Sequence, residues 1–331
     1  MDASINKRKA LSAAMLLAAS LIWGLAFVAQ SAAMEHMGPF TVSAVRCALA
    51  ALALVPCFLL FDRLGVSGYQ KKDAPAVWRA GVTLGAVLFV AINLQQIGLQ
   101  ETGAGKAGFI TALYIVVVPL FGLLMKKRVP RVVWPCALIA IAGLYFLCVR
   151  DGFSVGRGEM LLCLCTLAFA AQILLVSKYS ATLDCIRLTC IQFLTVSVLS
   201  VPFMLLEKPV AADIAGAWLP IVYAGVCSGG VAYTFQMLGQ KNIEPSAASL
   251  LMCPESVFAA LGGWWILGET LTARELTGCA LVFAAIVCSQ IPWERLGTGK
   301  KDLPQTAADT AAGRQPANEQ KGDEANAGIS V

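Results

Sequence analysis

A carboxylate, a guanidinium and a set of carboxamides stand within stretches of this chain that are otherwise apolar, and their placement invites chemistry. Glu255 lies eight residues into the apolar run Ala247 to Leu267, about 12 Å deep at the 1.5 Å rise of a helix. A charge at that depth in a bilayer costs roughly 3 kcal/mol on insertion scales, so it must face protein or water. It could carry a proton, anchor an amine, or act as a packing carboxylate bonded to a neighbouring hydroxyl or to Arg46. Arg46 lies about 10 Å below the end of its own run, near enough to snorkel to the interface. It could instead pair with Glu255 or attract an anionic group.

Gln30, Gln95, Gln96, Gln172, Gln192, Gln236 and Asn93 also sit in apolar runs. Amides in lipid need partners, so they either tie helices together or hydrogen-bond an amide or zwitterion along a polar path. Trp23, Tyr114 and Tyr233 could wall such a path with aromatic faces and polar edges. Trp264 and Trp265 read better as interfacial anchors. Other chemistry is unsupported. No Walker motif is present, the single histidine, His36, has no cluster around it, and no Cys-x-x-Cys occurs among twelve cysteines. The sequence therefore predicts no catalytic residues, no metal and no cofactor, with the cysteines acting as small apolar residues.

The elements that must position these side chains are long and apolar. Of 331 residues 58% are apolar and 14% charged, about half the charged fraction of a soluble domain. Ten segments are near the ~20 residues that span a bilayer. They run from Ala10 to Ala33, Pro39 to Phe61, Ala76 to Leu99, Ala107 to Met125, Val132 to Val149, Met160 to Tyr179, Ile186 to Leu206, Trp218 to Leu238, Ala247 to Leu267 and Leu276 to Trp293. Pro56, Pro119, Pro202 and Pro254 interrupt four of them. The expected fold is an all-α integral membrane protein with an uncleaved first helix.

The net charge of +5 comes from short basic clusters between the runs, which argues for membrane orientation and against nucleic acid. With the N-terminus inside, 14 Lys and Arg fall in inside loops against 5 outside. Both termini are therefore expected in the cytoplasm, in a multi-pass inner-membrane protein. Residues 1–9 form the N-terminal segment, and the polar stretch 294–331 reads as a disordered cytoplasmic tail.

The chain also repeats itself. Leu25 to Gln30 in the first segment matches Leu167 to Gln172 in the sixth at five of six positions. Val90 to Gly98 in the third matches Val231 to Gly239 in the eighth at Val, Ala, Gln and Gly, in nearly the same register. Two halves, 10–150 and 158–293, each with five helices, must enter the membrane from opposite sides. Inverted repeats of this kind place a solute site near the midplane between the halves. The basic loop Lys126 to Arg131 and its net-acidic counterpart Gly268 to Glu275 have diverged as opposite sides require.

At this point the residues resemble the EamA-type branch of the drug/metabolite transporter superfamily. The second half carries Ala247 to Leu251, Glu255 to Leu261, Leu267-Gly268-Glu269 and Gly278; the first carries Trp23 to Phe27, Arg46, Gly108 to Tyr114 and Val118 to Leu120. Pro254 precedes Glu255 where many relatives place a proline after the glutamate, and Lys126-Lys127 replaces a common Gly-Glu. The resemblance implies a ten-helix carrier of two five-helix repeats, often an exporter of amino acids or related small polar metabolites. Its partners reduce to a small-molecule substrate and the lipid bilayer, with a homodimer left open. A lipid-modifying enzyme would need a polar cluster that is missing here, and a sensor or assembly partner would need a larger soluble domain.

Overall fold

A computed structural model describes residues 2–65, 69–102, 104–126, 129–148, 156–267 and 272–290. Residues 294–331 and parts of the two loops compared above lie outside the described residues. The described chain is helical. Its elements are α1 (Asp2–Met34), α2 (Pro39–Arg63), a 3₁₀ turn (Lys71–Asp73), α3 (Ala74–Thr102), α4 (Ala104–Ala112), α5 (Tyr114–Leu124), α6 (Val133–Cys148), α7 (Arg157–Ser180) and α8 (Cys185–Glu207). There follow α9 (Ala211–Gly216), α10 (Trp218–Val222), a π-helix (Tyr223–Ala232), α11 (Tyr233–Gln240), α12 (Pro245–Met252), α13 (Glu255–Leu267) and α14 (Ala273–Gln290). Seven helical stretches are long and apolar enough to cross a membrane, and Val133–Leu147 is a shorter apolar helix.

Helix starts follow local chemistry. Pro39 opens α2 at a position where its missing N–H costs nothing. The free N–H groups of Phe40 and Thr41 donate to the Glu207 carboxylate at 3.0 and 2.8 Å. Asp184 caps α8 by accepting from Arg187 N at 2.8 Å. Thr272 and Glu275 form a reciprocal capping box at α14, with Thr272 N donating to Glu275 at 2.8 Å and Glu275 N donating to Thr272 Oγ1 at 3.3 Å.

Three of the expected segments are interrupted. The run at 107–125 breaks at Leu113, between α4 and α5, and the run at 247–267 breaks at Cys253-Pro254, between α12 and α13. The run at 218–238 passes through the ten-residue π-helix. Pro56, Pro119 and Pro202 lie inside helices that continue past them. One lost N–H is tolerated there, whereas at Pro254 the chain turns.

Packing is paired. α2 lies against α8 and α6 against α14; α3 packs on α7 and α8, and α1 on the π-helix, α11, α12 and α13. Small residues allow the closest approaches. A Cβ on Gly143 would lie 2.8 Å from the Gly278 carbonyl oxygen, and one on Gly278 would lie 2.5 Å from that of Gly143. Such backbone contact is how helices associate where lipid removes the hydrophobic drive.

Candidate functional site

The two helix breaks face one cavity. Pro254 has no N–H to donate, and Cys253 N turns back to the carbonyls of Ser249 and Leu250 at 3.1 and 3.3 Å. α13 then starts afresh at Glu255, so the carboxylate stands at the positive end of a half-helix. At the other break Leu113 N bonds Ile110 O at 3.2 Å, and Tyr114 begins α5. Tyr114 and Glu255 stand in the same register as Val90 and Val231 of the internal repeat, so each half contributes the first residue of its half-helix. Both line the cavity, and the Tyr114 hydroxyl sits beside the Glu255 carboxyl.

Neighbouring helices support each break differently. Thr166 Oγ1 of α7 lies 2.7 Å from Ile110 O and 2.9 Å from Leu162 O, and toward Ile110 it adds a second donor to the carbonyl that Leu113 N already contacts. Its repeat-related position, in the register that pairs Leu25 with Leu167, is Gly24 on α1. A Cβ there would lie 2.6 Å from the Glu255 carbonyl oxygen. Glycine lets α1 press against the second break.

Around these points the cavity holds about 550 Å³ of unfilled space, part of it open to the surroundings. Its wall brings together Trp23, Gln30, Arg46, Gln95, Tyr114, Gln172, Tyr233, Gln236 and Glu255, nine of the twelve polar and aromatic residues placed on a possible path above. Gln236 Nε2 donates to Gln172 Oε1 at 3.2 Å, so the amide contact joins members of different repeat-related pairs. Gln30 Nε2 satisfies itself on Ala26 O at 3.0 Å. Trp23 is fixed by its indole N–H on the Ser228 carbonyl at 3.3 Å and by an edge contact with Tyr233, centroids 4.9 Å apart. That carbonyl belongs to the π-helix, whose wider turn puts backbone acceptors outside the usual ladder.

The remaining three are set apart, Gln192 of α8 being fully buried outside the cavity wall. Asn93 Nδ2 bonds Phe89 O at 2.8 Å and Ser200 Oγ at 3.4 Å, which joins α3 to α8. Gln96 is fully buried away from the cavity wall. Trp264 and Trp265 are exposed and outside the cavity. Thr111, Ser228, Phe27, Phe169, Ile173 and Met252 complete the wall. Ser228 carried no polar-repeat signal, while Thr111 lay two residues before a break that the residue types did not announce.

Electrostatically the site keeps its charges apart. Arg46 and Glu255 are both buried, 5% and 6% exposed, yet among the described residues no ion pair joins them. Gln30 Oε1, Gln172 Nε2, Gln236 Oε1 and Arg46 Nε have no hydrogen-bond partner within the described protein. Buried polar atoms are normally satisfied, so this wall offers both donors and acceptors to a polar guest. No group of His, Cys, Asp or Glu among the described residues could hold a metal.

The model of the EamA-like transporter family matches the chain twice, over residues 10–149 and 156–290. An uncharacterized transporter of Archaeoglobus fulgidus is 31% identical over 270 residues, covering 81% of this chain and 82% of that protein. An uncharacterized transporter of Bacillus subtilis, YcxC, is 25% identical over 83% of this chain and 91% of its own length. A chloroplastic WAT1-related protein of Arabidopsis thaliana is 26% identical over 84% and 69%. One solved crystal structure shares the fold, with a TM-score of 0.72 at 18% identity over 87% of this chain and 99% of that one.

Proposed function

We propose that this chain, which belongs to the EamA-like transporter family, carries a small polar metabolite, an amino acid or related zwitterion, across its membrane by alternating access. The chain is a multi-pass membrane protein, and its relatives are named as transporters. The observation that carries the finer reading is one cavity that holds a buried guanidinium, a buried carboxyl and several amides without pairing the two charges. A zwitterion supplies the missing opposite charges. Its carboxylate goes to Arg46, its ammonium to Glu255, and Gln172 and Gln236 take the remaining polar atoms. Trp23 and Tyr233 supply the wall.

The architecture behind this reading is ten membrane segments in two inverted five-helix halves, residues 10–150 and 158–293. Two observations support it. The family model matches each half separately, and the packing keeps its pattern when the halves are exchanged: α3 on α7 becomes the α11 region on α1, and α3 on α8 becomes the π-helix on α2. Broken helices at a repeat interface are a recurring device for solute sites. The loop charges favour cytoplasmic termini in the inner membrane and, with the family resemblance, export.

Glu255 is also the candidate for proton coupling. Its carboxyl is buried in the cavity wall at the start of α13, where an ammonium or a proton can neutralise it in turn. Purified protein in liposomes should accumulate zwitterionic amino acid in response to an imposed pH gradient, and Glu255→Gln should abolish that response. Accumulation by Glu255→Gln with unchanged pH dependence would remove proton coupling from the reading.

A further inference from the structure

A second hollow lies away from the central cavity. It is bounded by Val55 and Phe58 of α2, by Tyr69, Ala74, Val77 and Trp78 at the start of α3, and by α8 from Arg187 to Leu194, and it holds about 740 Å³ of unfilled space, part of it open to the surroundings. Its rim faces outward: Val55, Trp78 and Leu194 are 38%, 53% and 41% exposed. The floor is closed by Arg187, which ion-pairs with Asp62 and Asp184 and lies over the Tyr69 ring at 3.7 Å and the Phe58 ring at 4.8 Å. From Arg187 to Leu194 the hollow runs about 10 Å along the helix. The rest of its wall is almost wholly apolar.

We propose that this groove binds one acyl chain of an anionic phospholipid, whose phosphate meets Lys71 and Lys72. The two lysines form the 3₁₀ turn between Tyr69 and Ala74, both of which line the groove. They are exposed and stand where α3 enters the membrane. Arg63 and Arg79 are exposed nearby on α2 and α3. The local acids are engaged: Asp62 and Asp184 hold Arg187, and Asp73 accepts from Gln70 N at 3.3 Å. The mouth therefore presents cations to the headgroup layer while the interior presents hydrocarbon to a chain, the two ends of a phospholipid. Basic residues beside a membrane helix attract anionic headgroups with roughly a fivefold gain in binding for each Lys.

Trp78 on the rim supplies the readout. Full-length protein in lipid-free detergent would be titrated with phosphatidylglycerol or phosphatidylcholine carrying brominated chains, which quench tryptophan on contact. The Trp78 signal is the difference between wild type and Trp78→Phe. The expected result is saturable quenching near one lipid per protein, with phosphatidylglycerol bound several-fold more tightly. Lys71→Gln/Lys72→Gln should erase that preference and leave the phosphatidylcholine curve unchanged. Equal binding of both lipids, unsaturable quenching, or a preference that survives the double substitution would each overturn the proposal. Native mass spectrometry of lipid retained by wild type and by the lysine variant gives the same answer without the tryptophan, and neither measurement depends on transport.

Discussion

Glu255 owes its position to Pro254. A proline one residue earlier stops α12 and lets the carboxylate open α13, so the charge stands at a helix terminus instead of along a helix wall. The polar residues themselves were legible because a Gln, Arg or Glu in an apolar run is conspicuous whatever the fold. Their direction was less so. Successive residues on a helix point about 100° apart, so Gln95 reaches the cavity while Gln96 turns away and Asn93 faces α8. Without the phase of α3 against its neighbours, the three could not be separated. Gly24 bears a prediction at this scale. Gly24→Ala drives a Cβ to 2.6 Å from the Glu255 carbonyl oxygen and from Phe258 Cβ, an overpacking that should cost about 1–3 kcal/mol. Thermal unfolding in detergent should show a clear loss, while Gly216→Ala, where no atom lies within 4 Å, should unfold like wild type.

Among the elements, most of the apolar runs were legible to within a few residues, although α1 begins at Asp2, eight residues before the run expected from Ala10, and the end expected at Trp293 lies outside the described residues; the breaks and the π-helix were not legible. Four prolines were visible, but three sit in helices that absorb them, and the break at Leu113 has no proline. Beside that break stands a partner far along the chain, the Thr166 hydroxyl on Ile110 O. Thr166→Val should therefore cost about 1 kcal/mol, seen as a lower unfolding temperature, and should slow transport by disturbing Tyr114. A variant as stable and active as wild type would mean that the break needs no such support. α2 and α8 are joined at both ends, by Glu207 on the N–H groups of Phe40 and Thr41 and by Arg187 on Asp62. Glu207→Ala should lose about 1–2 kcal/mol through uncapping of α2, measurable by the same unfolding experiment.

For the whole molecule, the repeat could be read because two short matches shared one register, and that register also aligns Tyr114 with Glu255. The sequence could not supply the way the halves meet, since packing of α2 on α8 and α6 on α14 leaves no period along the chain. If the halves are inverted with both termini inside, an impermeant thiol reagent applied to right-side-out vesicles should label a cysteine introduced at Lys208 and miss one introduced at Lys241, in a background lacking native cysteines. Labelling of both, or of Lys241 alone, would contradict the assigned orientation. The central claim is that one cavity with separated charges selects a solute bearing both. Counterflow in proteoliposomes, run in parallel with amino acids, simple amines and simple carboxylates, tests it most directly. The account predicts saturable exchange of zwitterions, with amines and carboxylates at least tenfold weaker and Arg46→Gln and Glu255→Gln each erasing the distinction. Exchange of amines or carboxylates as efficient as that of zwitterions, or no saturable exchange of any of the three, would contradict it.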